Sequence, residues 1–310
     1  MEVNFRWFAI TAIAPLAWGS TYFVTRHFLP PDYPLYGAVI RALPAGVVLL
    51  AIVRERPRGS WWWKSAVLGV LNVGAFFTLI YAAAQLLPSG LAATLMAMSP
   101  LTMLLLAWPL LDERPRLVSL FGAAIGIAGV CIMLGGGRGS VNGLGILASL
   151  VAMTMSSTGY LLAKRWGSEV RILSLTAWQL IAGGLCILPI AIVVEGRFPS
   201  LDGPAVVGFA YVTVVATAVA FCVWFAGLRR LSAGAVGLIG LLNPVMGVLL
   251  GAVLGAEPFG WPQGIGSALV LCGIVAGQPR SVRTRPPGTG IVRAISPRRW
   301  SGRRRRVSRR

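Results

Sequence analysis

The chain has 310 residues, of which 56% are hydrophobic and only 12% charged, with a formal net charge of +19. Such a balance does not describe a water-soluble surface, which excludes an ordinary soluble enzyme or binding domain. The charges gather in short gaps between apolar runs of about 18 to 25 residues, long enough to cross a hydrocarbon core at about 1.5 Å per residue. The chain therefore reads as an all-α polytopic membrane protein.

Ten such runs follow one another, at about 7–25, 35–53, 65–86, 88–111, 117–134, 143–163, 172–194, 204–228, 234–255 and 261–277. Pro44, Pro100, Pro109, Pro189 and Pro244 lie inside them. Membrane helices tolerate such prolines because neighbours re-satisfy the freed backbone groups, whereas a barrel needs segments of about ten alternating residues. Cys131, Cys186, Cys222 and Cys272 all fall within the runs, without metal or redox spacing. With only Arg6 ahead of it and no cleavage pattern, run 1 is expected to stay as a helix.

Run 1 carries Trp18-Gly19-Ser20-Thr21-Tyr22, and run 6 carries Ser156-Ser157-Thr158-Gly159-Tyr160. Matched aromatic and hydroxyl groups suit the lining of a cavity, or helix packing through small residues. In run 2, Arg41 lies roughly 9 Å from the run's start at 1.5 Å per residue. A cation at that depth marks a functional position. Its guanidinium suits a carboxylate or phosphate, or it snorkels outwards or ties down backbone carbonyls. Trp61-Trp62-Trp63-Lys64 opens run 3 as an interfacial anchor.

Run 3 then offers Asn72, Tyr81 and Gln85, and run 8 offers Thr213, Thr217 and Trp224. Runs 4 and 9 carry Ser99-Pro100 and Asn243-Pro244, where a proline kink is either a fixed bend or a hinge. Glu113 and Glu257 close those two runs, Glu113 beside Arg114 and Arg116 as an interfacial pair or, less simply, a coupling group. Glycines at four-residue spacing, Gly247/Gly251/Gly255, Gly122/Gly126 and Gly273/Gly277, suit close packing within the bundle or in a homodimer. The tail, 278–310, holds twelve arginines and no acid. It is expected to be disordered and drawn to anionic headgroups rather than to nucleic acid.

The runs are also duplicated. Leu87, Gly90, Pro100, Glu113, Gly122 and Gly129 recur 144 positions later as Leu231, Gly234, Pro244, Glu257, Gly266 and Gly273, while Tyr22 and Arg41 meet Tyr160 and Gln179 at an offset of 138. Two halves result, 1–137 and 138–277, followed by the tail. One side of the runs carries Arg6, the 54–64 cluster, Arg114, Arg116, Lys164, Arg165, Arg171, Arg229 and Arg230, the other only Arg26, Arg138 and Arg197. By the excess of cations on the inner face, both termini are expected in the cytoplasm. Five runs per half is odd, so the halves are expected to be inverted, as in secondary transporters with a midplane site.

The two five-run copies, Trp18-Gly19-Ser20, Arg41, Pro100 with Glu113 and Pro244 with Glu257 together resemble the ten-helix EamA-type transporters of the drug/metabolite transporter superfamily. The resemblance covers about 1–277 and not the tail. It implies export or exchange of amino acids or other small metabolites through a central cavity in the inner membrane, without a cofactor. The residues expected to meet a small-molecule substrate are Trp18, Ser20, Tyr22, Arg41, Tyr81, Gln85, Ser157, Tyr160, Gln179, Trp224 and Asn243, with Pro100 and Pro244 as hinges. A catalytic cluster of His, Asp and Glu is absent from the runs, and so is a phosphate-binding loop. Competing readings are a non-transporting scaffold or receptor, and an exporter of cationic or lipophilic drugs.

Overall fold

The computed structural model describes residues 2–86, 96, 98–134, 142–254 and 260–277. Glu257 and the tail from 278 lie outside them, as do the side chains of Tyr22, Tyr81 and Gln85. Among the described residues every regular element is helical. Six helical stretches are long and apolar enough to cross a membrane, and four shorter apolar helices correspond to runs 4, 5, 9 and 10. Lipid is the natural solvent for the outward side chains, since Val47, Ile52, Phe121, Leu147, Val193 and Val253 are exposed.

Runs 1 and 2 form α1 (Glu2–Phe28) and α2 (Pro34–Val53). Run 3 is not one uniform helix. It starts as α3 (Trp61–Gly69), widens into a π segment at Val70–Gly74, and continues as α4 (Ala75–Leu86). The described part of run 4 is α5 (Ser99–Leu111), followed by α6 (Leu117–Leu134), α7 (Gly143–Trp166) and α8 (Ile172–Val194). Run 8 repeats the pattern of run 3, with α9 (Gly203–Thr213), a π segment at Val214–Val219 and α10 (Ala220–Arg230). Val70 and Val214, where the π segments begin, stand 144 positions apart, the offset of the repeat.

Run 9 divides at Gly240–Leu241 into α11 (Ala233–Ile239) and α12 (Leu242–Leu254), and run 10 forms α13 (Trp261–Gly277). Pro244 consequently falls in the first turn of α12, and Pro100 in the first turn of α5 after a turn at Met98. A proline there forfeits no intrahelical hydrogen bond. The bend that a proline would impose inside a helix is thus replaced by a helix start.

The packing order is regular. α6 lies against α13, α2 against α8, α1 against α10 and α12, and α7 against α4 and α5. Exchanging equivalent runs turns the α1 pairs into the α7 pairs and leaves the other two unchanged. Glycine allows the closest of these approaches. A Cβ on Gly122 would stand 2.4 Å from Gly277 Cα and 2.6 Å from the Gly273 carbonyl oxygen, so the glycine faces of runs 5 and 10 are filled by each other.

Two carboxylates pin α2 to α8 at opposite ends. Glu195, after α8, accepts the backbone N–H groups of Leu35 and Tyr36 in the first turn of α2, an N-terminus that favours negative charge. Glu55, after α2, accepts from Ser174 at 2.6 Å and from Arg171 at 3.2 Å beside the first turn of α8. The Ser174 hydroxyl first and then Arg171 hold the Glu55 carboxyl below its ordinary value. The tryptophans that open α3 divide their work: Trp61 packs on Trp178 with ring centroids 5.6 Å apart, while Trp62 and Trp63 stay exposed at the helix end.

Candidate functional site

The π segments bring the functional side chains together. In Val214–Val219 the Ala220 N–H reaches five residues back to the Val215 carbonyl, and the regular i to i−4 ladder is interrupted. The Ala216 carbonyl oxygen instead accepts the Trp18 indole N–H at 3.0 Å and an Arg41 N–H at 3.1 Å. Arg41 Nε donates to Thr217 Oγ1 at 2.6 Å, and its guanidinium carbon lies 4.4 Å from the Phe77 ring centroid. Arg41 thus ties down a backbone carbonyl, one of the uses expected of it, and also lines a cavity.

That cavity has a volume of about 130 Å³. Trp18 and Thr21 reach it from α1, Arg41 from α2, and Phe76, Phe77 and Ile80 from α4. The run 4 side adds Met96, Ser99 and Met103, and α7 adds Ser156, Ser157 and Tyr160. Phe221 and Trp224 close it from α10, with Gly240, Asn243 and Pro244 at the break in run 9. Both sequence halves therefore contribute to one space. The Trp18 and Tyr160 rings face each other, with centroids 6.3 Å apart and planes 2° from parallel, and Trp224 tilts against both at 5.1 and 5.5 Å. Aromatic pairs of this kind add packing energy of about 0.5–1.5 kcal/mol each beyond area burial.

Two polar atoms in this lining lack a protein partner: Ser157 Oγ and Trp224 Nε1, on residues 1% and 3% exposed. A buried donor left unpaired costs about 1–3 kcal/mol, so both atoms have an unmet demand for an acceptor. Among the described lining residues Arg41 is the charged group and no carboxylate occurs.

Of the residues singled out in the sequence, Trp18, Arg41, Ser157, Tyr160, Trp224, Asn243 and Pro244 line the cavity. Ser20 turns away, bonded to Ala17 O and the Tyr211 hydroxyl. Its neighbour Gly19 lets α1 touch α12, since a Cβ there would fall 2.4 Å from the Asn243 carbonyl oxygen. Gln179 is fully buried outside the cavity and accepts from Asn72 Nδ2 at 2.9 Å. Pro100 packs on Gly237. Phe76, Phe77, Ile80, Met103 and Phe221 escaped sequence reasoning because an apolar residue in an apolar run carries no signal of which way it faces.

A helical bundle with an apolar outer surface and a mixed aromatic and polar cavity at its centre defines an integral membrane protein with an internal binding space. The EamA-like transporter family profile matches the chain twice, over residues 6–135 and 143–276, and the chain belongs to that family. It is similar to Protein PecM of Dickeya dadantii, with 34% identity over 88% of this chain and 92% of that protein. It is also similar to the uncharacterized inner membrane transporter YedA of Escherichia coli K12, with 29% identity over 84% of this chain and 86% of the relative. The uncharacterized transporter YdeK of Bacillus subtilis is 28% identical over 84% of this chain and 93% of its own length. A solved crystal structure shares the fold, with a TM-score of 0.74 at 20% identity over 88% of this chain and 96% of the other. The protein is a membrane transporter.

Proposed function

We propose that the chain is a secondary transporter that exports or exchanges a small amphipathic metabolite carrying an anionic group. Its halves, 1–137 and 138–277, are inverted repeats that rock around the central cavity, with both termini in the cytoplasm. The profile match in each half, the π segments at equivalent positions and the exchangeable packing pairs support the repeat. The observation that carries the substrate reading is the joint lining of one cavity by Arg41, the Trp18–Tyr160–Trp224 rings and Ser157, whose Oγ, like Trp224 Nε1, is buried without a protein partner. The guanidinium and the two donors face acceptor oxygens of the substrate, while the rings cover its apolar part.

No carboxylate or histidine occurs among the described lining residues, which favours facilitation or exchange over proton coupling. The Arg-rich tail adds attraction to anionic headgroups on the cytoplasmic face.

The test is the thermal stability of the tail-less protein against amino acids, organic acids, sugars and cationic drugs, because a ligand that binds the folded state raises the melting temperature. Stabilisation by carboxylates that disappears in Arg41→Gln is expected. Stabilisation by cationic drugs alone would overturn the anion reading and favour a drug exporter.

A further inference from the structure

A second hollow, about 210 Å³, lies between the ends of α5, α6 and α11, with Arg114 and Arg116 in its wall. The two cavities succeed one another along the same two helices. On α5, Met103 borders the central cavity, whereas Leu104 and Ala107 border the second. Opposite, Gly240 borders the first and Gly234 and Ser232 the second.

Along α5 and the run 9 side, the change from one lining to the other falls at an apolar seam. Leu104, 5% exposed, fills the space over Gly234, where a Cβ would fall 2.4 Å from Leu104 Cδ2. One turn on, a Cβ at Gly237 would meet Pro100 Cα at 3.1 Å. Gly234 leaves room for the flexible Leu104 side chain while Gly237 rests on the Pro100 backbone, so the Leu104 contact is the part of the seal that opens when one side chain turns.

A polar tie sits just beyond the seam. Asp112 ends α5 in the left-handed region at φ 57°, which turns the next residue, Glu113, back towards α11. The Glu113 carboxylate accepts the Ala233 N–H at 2.9 Å in the first turn of α11 and pairs with Lys164 from α7. Lys164 also donates to the Leu231 carbonyl at 2.9 Å. One ion pair thus joins α5, α7 and the start of α11. The Lys164 and Glu113 side chains are 17% and 30% exposed, so water can replace their bonds if α11 swings away.

We infer that the second hollow is the antechamber of the transport path, that the Leu104–Gly234 seam is the gate between it and the central cavity, and that the Glu113–Lys164 pair latches the gate shut. This rests on the reading of the central cavity as the transport site. Glu113 also lines this hollow but is paired with Lys164, so Arg114 and Arg116 leave the antechamber a positive potential that draws an anionic solute in.

The experiment uses the full chain with Cys131, Cys186, Cys222 and Cys272 replaced by alanine, reconstituted in vesicles of known orientation. Arg116→Cys marks the antechamber face and Ser99→Cys the central cavity; each is labelled with a membrane-impermeant thiol reagent. From the face on which Arg116→Cys reacts, Ser99→Cys is expected to react slowly while the latch is intact. Adding Lys164→Met should speed that reaction about tenfold, the change that about 1.4 kcal/mol of latch stabilisation produces. Adding Lys164→Arg, which keeps the cation, should leave it slow. Equal fast labelling of Ser99→Cys with the latch intact, or no acceleration by Lys164→Met, overturns the gate. The readout needs no substrate, so its failure is separable from failure of the metabolite reading, which the melting panel tests.

Discussion

The two π segments occupy equivalent places in the repeat, yet they serve opposite ends. In Val214–Val219, Ala216 O and Thr217 Oγ1 hold Arg41 at the edge of a cavity. In Val70–Gly74, Asn72 pairs with Gln179, the counterpart of Arg41, in a fully buried contact where Asn72 Oδ1 and Gln179 Nε2 find no further partner. Each half offers one polar residue from its second run to the π segment of the other half. Of the two positions that the internal match pairs, one is a charged wall of the cavity and the other a neutral rivet between helices.

That contrast can be broken first at Arg41. Arg41→Gln is expected to weaken binding of an anionic ligand by about 2 kcal/mol, roughly thirtyfold, and to lower ligand-free stability by about 1 kcal/mol, because its bonds to Thr217 and Ala216 are lost. A large fall in ligand-free stability would show that both copies are rivets. Asn72→Leu comes next. It orphans Gln179 Oε1 in an apolar site and should lower unfolding stability by about 1–2 kcal/mol without changing ligand preference. The double variant with Gln179→Leu should recover most of that loss, because no amide is then left unpaired. Denaturant unfolding of the two singles and the double measures the cycle.

Ser157→Ala sharpens the comparison further, since the hydroxyl has no protein partner to lose. Ligand affinity is expected to fall about fivefold, or roughly 1 kcal/mol, with stability unchanged; a drop in stability instead would assign the hydroxyl to helix packing. The smallest effect lies outside the cavity. Because Glu55 is held below its ordinary value of 4.5, the tie to Ser174 contributes at pH values above 4.5 and fades as pH falls through the lowered value. The melting temperature should therefore respond to Ser174→Ala at neutral pH and cease to respond in strong acid.

The repeat was legible because its signals are local: Pro100 and Pro244, Glu113, and glycines that no other residue can replace at a helix contact. Arg41 and Trp224 were legible for a related reason, since a cation or an indole within an apolar run needs a use. Gln179 was misleading by the same logic. Its sequence match to Arg41 pointed to the cavity, but its partner, Asn72, lies 107 positions away and keeps it buried.

Length and hydropathy, properties of the chain read along one dimension, determined that this protein is a helical membrane protein, and the internal match read the same way runs parallel to the two matches of the family profile. The tertiary structure decided where helices widen or break, which of two equivalent polar residues faces a cavity, and which apolar side chains close it. Those outcomes depend on what lies across the helix interface, because a π turn, a freed carbonyl or an unpaired hydroxyl acquires its meaning only from the side chain of another run that packs against it.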